Sequence, residues 1–169
     1  MMPSGEVIRI VGLLERQGLS VWLDGGWGVD ALAGRQTRPH DDLDVAILLS
    51  EAEAVISALA GAGYRVFGDE MPTRVDLRDE HDHRVDLHPI TLDASGNGLQ
   101  QLQDGGFGTY TAEGLSGTGV IDGRRLRCLS RALQLAFHRG YELDDGDRHD
   151  IRVLENLVPR RSRRSPDRP

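Results

Sequence analysis

The chain of 169 residues contains no lysine, and arginine supplies all 20 of its basic side chains. This absence excludes the lysine that binds phosphate in Walker-type loops, Schiff-base chemistry and any other catalytic lysine. Cysteine is almost as scarce, because Cys128 alone can form neither an internal disulfide nor a cysteine-rich zinc site. We therefore expect a reduced, buried thiol at Cys128 and a cytoplasmic protein.

Long hydrophobic runs and aromatic residues are also scarce. The longest apolar runs, such as residues 45–49, are far shorter than the roughly 20 residues of a transmembrane helix. Residues 1–12 lack the pattern of a signal peptide. Aromatic residues make up only 5% of the chain. The sequence therefore predicts no membrane partner.

Charge is distributed unevenly along the chain. The formal net charge is −7, but residues 159–169 contain five arginines and one aspartate, and this +4 leaves −11 for the rest. An acidic body disfavours nucleic-acid binding, because phosphate contacts dominate that affinity, and it suits a cationic or metal-chelated ligand. The arginine-rich tail is predicted to be disordered, with contact to polyphosphate or nucleic acid as the alternative.

Hydrophobic periodicity predicts a mixture of helices and strands. Helices are predicted for residues 6–17, 27–32, a segment capped by Ser50, and 130–157 with an interruption at 140–146; strands are predicted for 21–23, 43–47, 64–67, 74–78, 84–90 and a hairpin at 120–129. Residues 93–119 give no clear pattern. This order indicates an α+β fold with a mixed β-sheet flanked by helices. We expect one domain at 1–129, a short C-terminal helical section at 130–158 and the tail at 159–169.

The sharpest local feature is the pair of acids around Leu43. Asp42 and Asp44 share the polar face of a predicted strand, where they either bind a cation or lie in solvent. Asp86 lies on the polar face of a second strand, and the three acids converge if these strands are neighbours. Three carboxylates have room for two Mg²⁺ ions, the arrangement used in nucleotidyl transfer. Asp86 can also act as a general base toward an acceptor hydroxyl.

A glycine pair precedes these acids and suggests a place for phosphate. Gly25 and Gly26 allow backbone amides to approach a phosphate at the start of a helix, although a simple turn explains the pair equally well. Arg35 and Arg38 follow this turn. Either arginine can hold a pyrophosphate through forked hydrogen bonds, or lie on the surface.

Five motifs occur together in the chain: residues 22–30 (WLDGGWGVD), 37–44 (TRPHDDLD), 71–74 (MPTR), 85–90 (VDLHPI) and 137–141 (FHRGY). Together they resemble antibiotic nucleotidyltransferases of the polymerase beta superfamily, and the small lincosamide nucleotidyltransferases in particular. The resemblance covers roughly residues 20–157. The first motif is also similar to that of aminoglycoside 2''-nucleotidyltransferases.

The resemblance implies a polymerase beta-like nucleotidyltransferase fold and a magnesium-dependent reaction. A nucleoside monophosphate would pass from a nucleoside triphosphate to a hydroxyl of a small antibiotic, a lincosamide first and an aminoglycoside second, and the drug would be inactivated. Asp42 and Asp44 match the metal ligands of the family, and Asp86 matches its third acid. The chain has Gly26-Trp27 where the superfamily often has Gly-Ser, so a hydroxyl contact to phosphate is missing.

Three further residues are weaker candidates for substrate contacts. Arg74 lies on the polar face of a strand or pairs across a hairpin, and His88 shares the face of Asp86, where it contacts substrate or orients a neighbour. Tyr110 stacks on a base or sugar, or belongs to the core. We predict a homodimer as well.

Two other functions stay open at this point. One is a minimal nucleotidyltransferase of a toxin-antitoxin system that acts on a protein partner, and the other is a nucleic-acid-binding module that works through the tail.

Overall fold

The computed structural model describes residues 1–139 and 141–157, and the predicted arginine-rich tail lies outside the described residues. The helices in these ranges are α1 (Ser4–Arg16), α2 (Gly25–Ala33), α3 (Ala52–Gly61), α4 (Arg131–Phe137) and α5 (Asp145–Asn156). The strands are β1 (Val21–Leu23), β2 (Asp42–Leu48), β3 (Arg65–Glu70), β4 (Arg74–Arg78), β5 (Arg84–Leu92), β6 (Gly98–Gln101), β7 (Phe107–Tyr110), β8 (Thr118–Ile121) and β9 (Arg124–Arg127). Short 3₁₀ turns occupy Leu49–Glu51 and Gly114–Ser116.

A mixed sheet organises the fold. Its central path runs β1-β2-β5-β4-β3, and β6 and β7 extend it from the far end of β5. The β2–β5 pair is parallel, whereas the other pairs of this sheet are antiparallel. Strands β8 and β9 form a separate hairpin, which a bridge between Leu23 and Cys128 joins to β1. The predicted mixed sheet with flanking helices is confirmed.

The two faces of the sheet have different surroundings. On one face, Val45 and Leu87 are fully buried in a core shared with α1 and α3. On the other face, Ala46 and Ile90 belong to a smaller cluster with Leu133 of α4. Because side chains alternate along a strand, the even-numbered residues of β2 and β5 all lie on this second face. The acids predicted to form the site are among them.

Local sequence signals explain most of the element boundaries. Asp122 and Gly123 both adopt positive φ, at 45° and 80°, which is the geometry of the tight turn predicted between β8 and β9. The side chain of Ser130 accepts a hydrogen bond from the Leu133 amide and caps α4 as predicted. Cys128 is fully buried, also as predicted.

Three local predictions were wrong or incomplete. Ser50 does not cap α3, because a 3₁₀ turn precedes that helix and its N-cap is Glu51, which makes no capping bond. The carboxylate of Glu51 instead accepts a hydrogen bond from the Ser20 amide. Helix α2 begins at Gly25, two residues before the predicted start, because Asp24 caps it. Residues 93–119, which gave no pattern, contain β6 and β7.

The C-terminal helices pack against the body through α2, which contacts both α4 and α5. Arg131 adds a hydrogen bond from Nε to the Leu154 carbonyl at 2.5 Å. The predicted division at residues 129 and 130 stays a prediction. Among the described residues, none of the helices is both long enough and apolar enough to cross a membrane.

Candidate active site

The parallel pairing of β2 and β5 places two carboxylates side by side. Asp44 lies directly opposite Asp86 in the register, and Asp42 lies two residues earlier on the face of Asp44. Asp86 is buried, Asp44 is partly buried and Asp42 is exposed at the rim. Loss of hydration, together with the charges of Asp44 and Asp86, raises the pKa of the Asp42 carboxyl group. The charges of Asp44 and Asp86 therefore act on Asp42 at the rim.

Arg74 of β4 holds the Asp86 carboxylate in a forked ion pair. Its Nε donates to Oδ1 at 2.6 Å, and Nη2 lies 2.5 Å from Oδ2. Burial raises the pKa of Asp86, and the guanidinium opposes that effect. Arg74 thus pairs across the β4–β5 hairpin, with Asp86 as its partner, while Asp76 lies 3.3 Å from Arg78.

A chain of side chains connects Asp44 to β6 and β7. The Nε2 of His88 lies 3.4 Å from Oδ1 of Asp44, and the amide nitrogen of Gln100 lies 3.2 Å from Nδ1 of His88. That amide also donates to the Thr73 carbonyl at 2.9 Å, and the Tyr110 hydroxyl donates to Oε1 of Gln100 at 3.0 Å. His88 is therefore oriented by Gln100 and directed at a predicted metal ligand.

The acids and the hydrogen bonds favour different protonation states of His88. Burial would lower the pKa of His88, but Asp44 and the other nearby carboxylates raise it to about 9. The amide of Gln100, however, presents a donor to Nδ1, which suits the neutral ring. The contact geometry is therefore that of the neutral ring, and the direction of the pKa shift reflects the negative charges of Asp44, Asp24 and Asp86 around it.

Asp24 and Gly25 bring the first turn of α2 against Asp44. The Asp24 carboxylate accepts a hydrogen bond from the Gly25 amide at 2.7 Å. Burial, opposed by His88 and reinforced by Asp44, raises the pKa of Asp24 to about 6. Gly25 has a φ of +54°, and a Cβ at this position would lie 2.3 Å from Oδ2 of Asp44. Glycine is required here both by the backbone conformation and by the close approach of that carboxylate.

These elements surround a hollow of about 430 Å³, which we call the central hollow. Its lining residues are Asp24, Gly25, Asp44, His88, Gln100, Leu102, Gly108, Tyr110, Gln134, Phe137, His138, Tyr141 and Asp147. The Tyr110 ring is buried and meets Phe137 edge to face, with centroids 4.8 Å apart. The hollow thus combines carboxylates at the sheet with an apolar aromatic wall.

The two predicted phosphate-binding arginines lie outside this hollow. Arg38 lies against Gly26, but its Nε and Nη2 donate to the Asp150 carboxylate at 2.9 and 2.6 Å. Arg35 follows Gly34, the C-cap of α2, so the length of that helix separates it from Gly25, and it lines a different hollow with Arg152. Gly26 is packed against His40, where a Cβ would lie 2.3 Å from Nδ1. The nucleotide roles of these residues stay predictions.

Among the residues around Asp44 and His88, sequence reasoning missed Gln100 and Asp24. Gln100 lies in the segment without a pattern, and nothing local marks it, because its partners come from β4–β5 and β7. Asp24 could have been found, since an aspartate before a glycine-rich helix start is a common N-cap.

A larger hollow of about 770 Å³ lies elsewhere and includes Glu6, Asp79 and His83. Those groups are satisfied by the protein itself: Arg9 forms a fork with Glu6, and Asp79 Oδ2 lies 2.8 Å from His83 Nδ1. We therefore place the candidate site at the central hollow, where the acids outnumber their cationic partners.

Comparison with known proteins identifies the family. The sequence profile described as aminoglycoside-2''-adenylyltransferase matches residues 6–154. A lincosamide resistance protein of Staphylococcus haemolyticus is 37% identical over 153 residues, which are 90% of this chain and 94% of that relative. The chain belongs to the aminoglycoside-2''-adenylyltransferase family. This member of the family is an enzyme of the nucleotidyltransferase type.

Solved structures of related proteins agree with this assignment. The lincosamide antibiotic adenylyltransferase LnuA, in a crystal structure with lincomycin bound, matches with a TM-score of 0.83 and 34% identity, covering 93% of this chain and 99% of LnuA. The predicted nucleotidyltransferase fold is therefore confirmed. ANT(2'')-Ia in complex with adenylyl-2''-tobramycin matches with a TM-score of 0.69 and 21% identity, over 89% of this chain and 86% of that one, and shows the fold alone.

An aminoglycoside relative matches a shorter stretch of sequence. A 2''-aminoglycoside nucleotidyltransferase of Escherichia coli is 38% identical over 56 residues, which are 31% of this chain and 32% of the relative. The lincosamide resistance protein, by contrast, is matched over nearly its whole length.

The residues of this family member fit a hard divalent cation. Ligand atoms of Asp44, Asp86 and His88 lie within 4.8 Å of one another. Carboxylate oxygens are the ligands that Mg²⁺ prefers, and the carboxylates of Asp42, Asp44 and Asp86 share one face of the sheet, where Arg74 is paired with Asp86. Each Asp86 oxygen keeps a lone pair beyond its bond to Arg74.

Proposed function

We propose that this enzyme transfers a nucleoside monophosphate from a nucleoside triphosphate to a hydroxyl of a small antibiotic, releases pyrophosphate and thereby inactivates the drug. The observation that carries the proposal is the register of β2 and β5, which sets Asp86 directly beside Asp44, a residue that lines the central hollow. The close similarity of the whole chain to a lincosamide resistance protein supports it.

In this proposal Asp42, Asp44 and Asp86 hold two Mg²⁺ ions. When bound, the metal neutralises phosphate charge and orients the triphosphate. The residues around it have separate tasks: Arg74 fixes the Asp86 carboxylate, and His88 fixes that of Asp44. Asp86 completes the metal site or accepts the proton of the drug hydroxyl, and its remaining lone pairs allow either role.

The acceptor we propose is a lincosamide first and an aminoglycoside second. The hollow presents an aromatic wall of Tyr110 and Phe137 beside the carboxylates of Asp44 and Asp147. An amphipathic drug with an amine matches both surfaces, whereas a polycationic sugar would leave the aromatic wall without an apolar partner. The relatives described above are named for drugs, and we therefore do not propose a protein acceptor.

Mass spectrometry of the drug tests the function directly. The protein is incubated with MgCl₂, one nucleoside triphosphate at a time, and lincomycin or tobramycin. We expect lincomycin to gain the mass of one nucleoside monophosphate, and EDTA to abolish that gain. Unmodified drugs with all four nucleotides would contradict the proposal.

A matched pair of aspartate variants tests the site. Asp44→Asn keeps the shape but removes one charge beside Asp86, and we expect kcat to fall at least about 100-fold with the fold intact. Asp41→Asn removes the same charge from an exposed neighbouring residue and should retain activity. Substantial activity in Asp44→Asn would remove Asp44 from the metal site. Circular dichroism and thermal unfolding check that both variants fold.

A further inference from the structure

His138 lines the central hollow, and one of its ring nitrogens has no hydrogen-bond partner among the described residues. The residue follows α4 directly, and its side chain is only 10% exposed. Its Nδ1 lies 3.0 Å from the Tyr141 hydroxyl and 3.3 Å from Oδ1 of Asp147. Its Nε2 is shielded from solvent and has no hydrogen-bond partner in the described part of the chain.

The hydrogen bonds on the Nδ1 side assign the tautomer of the neutral ring. The Tyr141 hydroxyl donates its hydrogen to Oδ1 of Asp147 at 3.0 Å, so it has none left for His138. Nδ1 must therefore carry the ring hydrogen and donate it to the tyrosine and aspartate oxygens. Nε2 is left with a bare lone pair, which is an acceptor.

An unpaired buried acceptor is costly and suggests a missing donor. Native proteins pair nearly all such groups, and the exceptions are often at functional sites. The described residues supply no donor to Nε2 of His138, and solvent does not reach it. His138 lines the hollow, so a ligand that displaces the atoms now covering Nε2 supplies such a donor, since a drug acceptor carries O–H and N–H groups.

We propose that His138 is a specificity-determining residue of this enzyme, whose Nε2 accepts a hydrogen bond from an O–H or N–H group of the acceptor drug. The inference rests on the proposed function, because it needs the drug to occupy the central hollow. Tyr141 and Asp147 are positioning residues, which hold the ring and fix its tautomer. His138 recognises the acceptor drug through this hydrogen bond, and the acids on β2 and β5 serve the transfer of the nucleoside monophosphate.

Two substitutions of His138 distinguish the role of Nδ1 from that of Nε2. Asn at position 138 places its amide near the Nδ1 position and keeps the bond to Asp147, but it lacks an acceptor where Nε2 lies. Gln is longer, and its side-chain oxygen reaches the Nε2 position. We expect His138→Asn to raise the KM for lincomycin about tenfold, as loss of one hydrogen bond of this kind does, with a much smaller effect on kcat and on the KM for the nucleotide. His138→Gln should restore the KM for lincomycin to within about threefold of the unmodified enzyme.

The matched control is His81→Asn, which makes the same change at a histidine whose side chain is 69% exposed and whose ion-pair neighbour is Glu80. It should leave both KM values unchanged. Equal KM values for lincomycin in His138→Asn and the unmodified enzyme would overturn the inference. So would equal losses in the Asn and Gln variants, which would indicate a purely structural role.

Binding experiments distinguish failure of this inference from failure of the proposed function. If no drug is modified, the proposed function fails, and titration calorimetry with lincomycin still tests His138. Binding that is about tenfold weaker in His138→Asn supports the inference; equal binding, or no binding to the unmodified protein, overturns it. The ¹⁵N resonance of Nε2 needs no variant: it should move when lincomycin is added, and an unchanged resonance at saturation counts against the contact.

Discussion

Gly25→Ala should inactivate the enzyme while leaving it folded. Gly25 is the first residue of α2, at a φ of +54°, and its Cα faces the carboxylate of Asp44. An added Cβ would lie 2.3 Å from Oδ2 and 3.0 Å from Cγ of that carboxylate, whereas ordinary contacts begin at 3.4 Å. The Asp44 oxygen must therefore retreat by about 1 Å, because the helix backbone on the other side of the contact is fixed by its hydrogen bonds.

The magnitude has two parts with different readouts. A left-handed conformation costs a residue with a Cβ about 1–2 kcal/mol, which lowers the free energy of unfolding. Displacing a catalytic group by about 1 Å costs up to about 100-fold in rate. We therefore expect Gly25→Ala to lose little stability and about two orders of magnitude in kcat/KM, with the loss in kcat rather than in the KM for lincomycin.

Gly18→Ala supplies the matched control. Gly18 follows Gln17, the C-cap of α1, at a φ of +74°, and an added Cβ there would have no atom within 4 Å. It should show the same loss of stability in urea unfolding, about 1–2 kcal/mol, with unchanged activity in the lincomycin assay. Full activity in Gly25→Ala, or equal activity losses in both variants, would refute the reasoning that Gly25 is needed to seat Asp44.

Two more predictions concern buried carboxylates. Because the pKa of Asp24 in the folded protein, about 6, lies above its ordinary 3.8, folding favours the protonated acid, and stability is lost as pH rises from about 4 through 6. In metal-free buffer, Asp24→Asn should therefore be more stable than the unmodified protein at pH 8, by about 3 kcal/mol, and equally stable near pH 4 in urea unfolding. Asp150→Asn should lower the free energy of unfolding by about 3 kcal/mol, because it leaves Arg38 without its charged partner. Asp145→Asn, on an exposed residue of the same helix, should lower it by less than about 1 kcal/mol. Equal losses in the two variants would contradict the buried ion pair.

Strand periodicity allows the sequence to predict which site residues lie on the polar face of the sheet. Asp42 and Asp44 alternate with buried residues of β2, and Asp86 and His88 alternate with those of β5, so the face of each follows from its position. The sequence does not contain the register between the strands. Parallel pairing could have been offset by two residues without moving any side chain to the wrong face.

The arginines show why other parts of the site could not be predicted. Arg38 is separated from Asp150 by 112 residues, and no local pattern connects them. Arg35 is close in sequence to the glycine turn, but α2 lies between them, and a helix of nine residues extends for about 13 Å. Arg35 therefore lines a different hollow and Arg38 is paired with Asp150, and the roles of both residues toward phosphate stay predictions.

The carboxylates of the central hollow lie close together because each is compensated in a different way. Asp86 is paired with Arg74, Asp44 is contacted by His88, and burial favours the protonated form of Asp24. An excess of negative charge remains, since the nearby carboxylates raise the pKa of His88 although its burial lowers it. A triphosphate alone would add negative charge to this group and be repelled. We therefore predict that a nucleotide binds here only together with a divalent cation, because the same carboxylates that repel free phosphate attract the metal-chelated nucleotide.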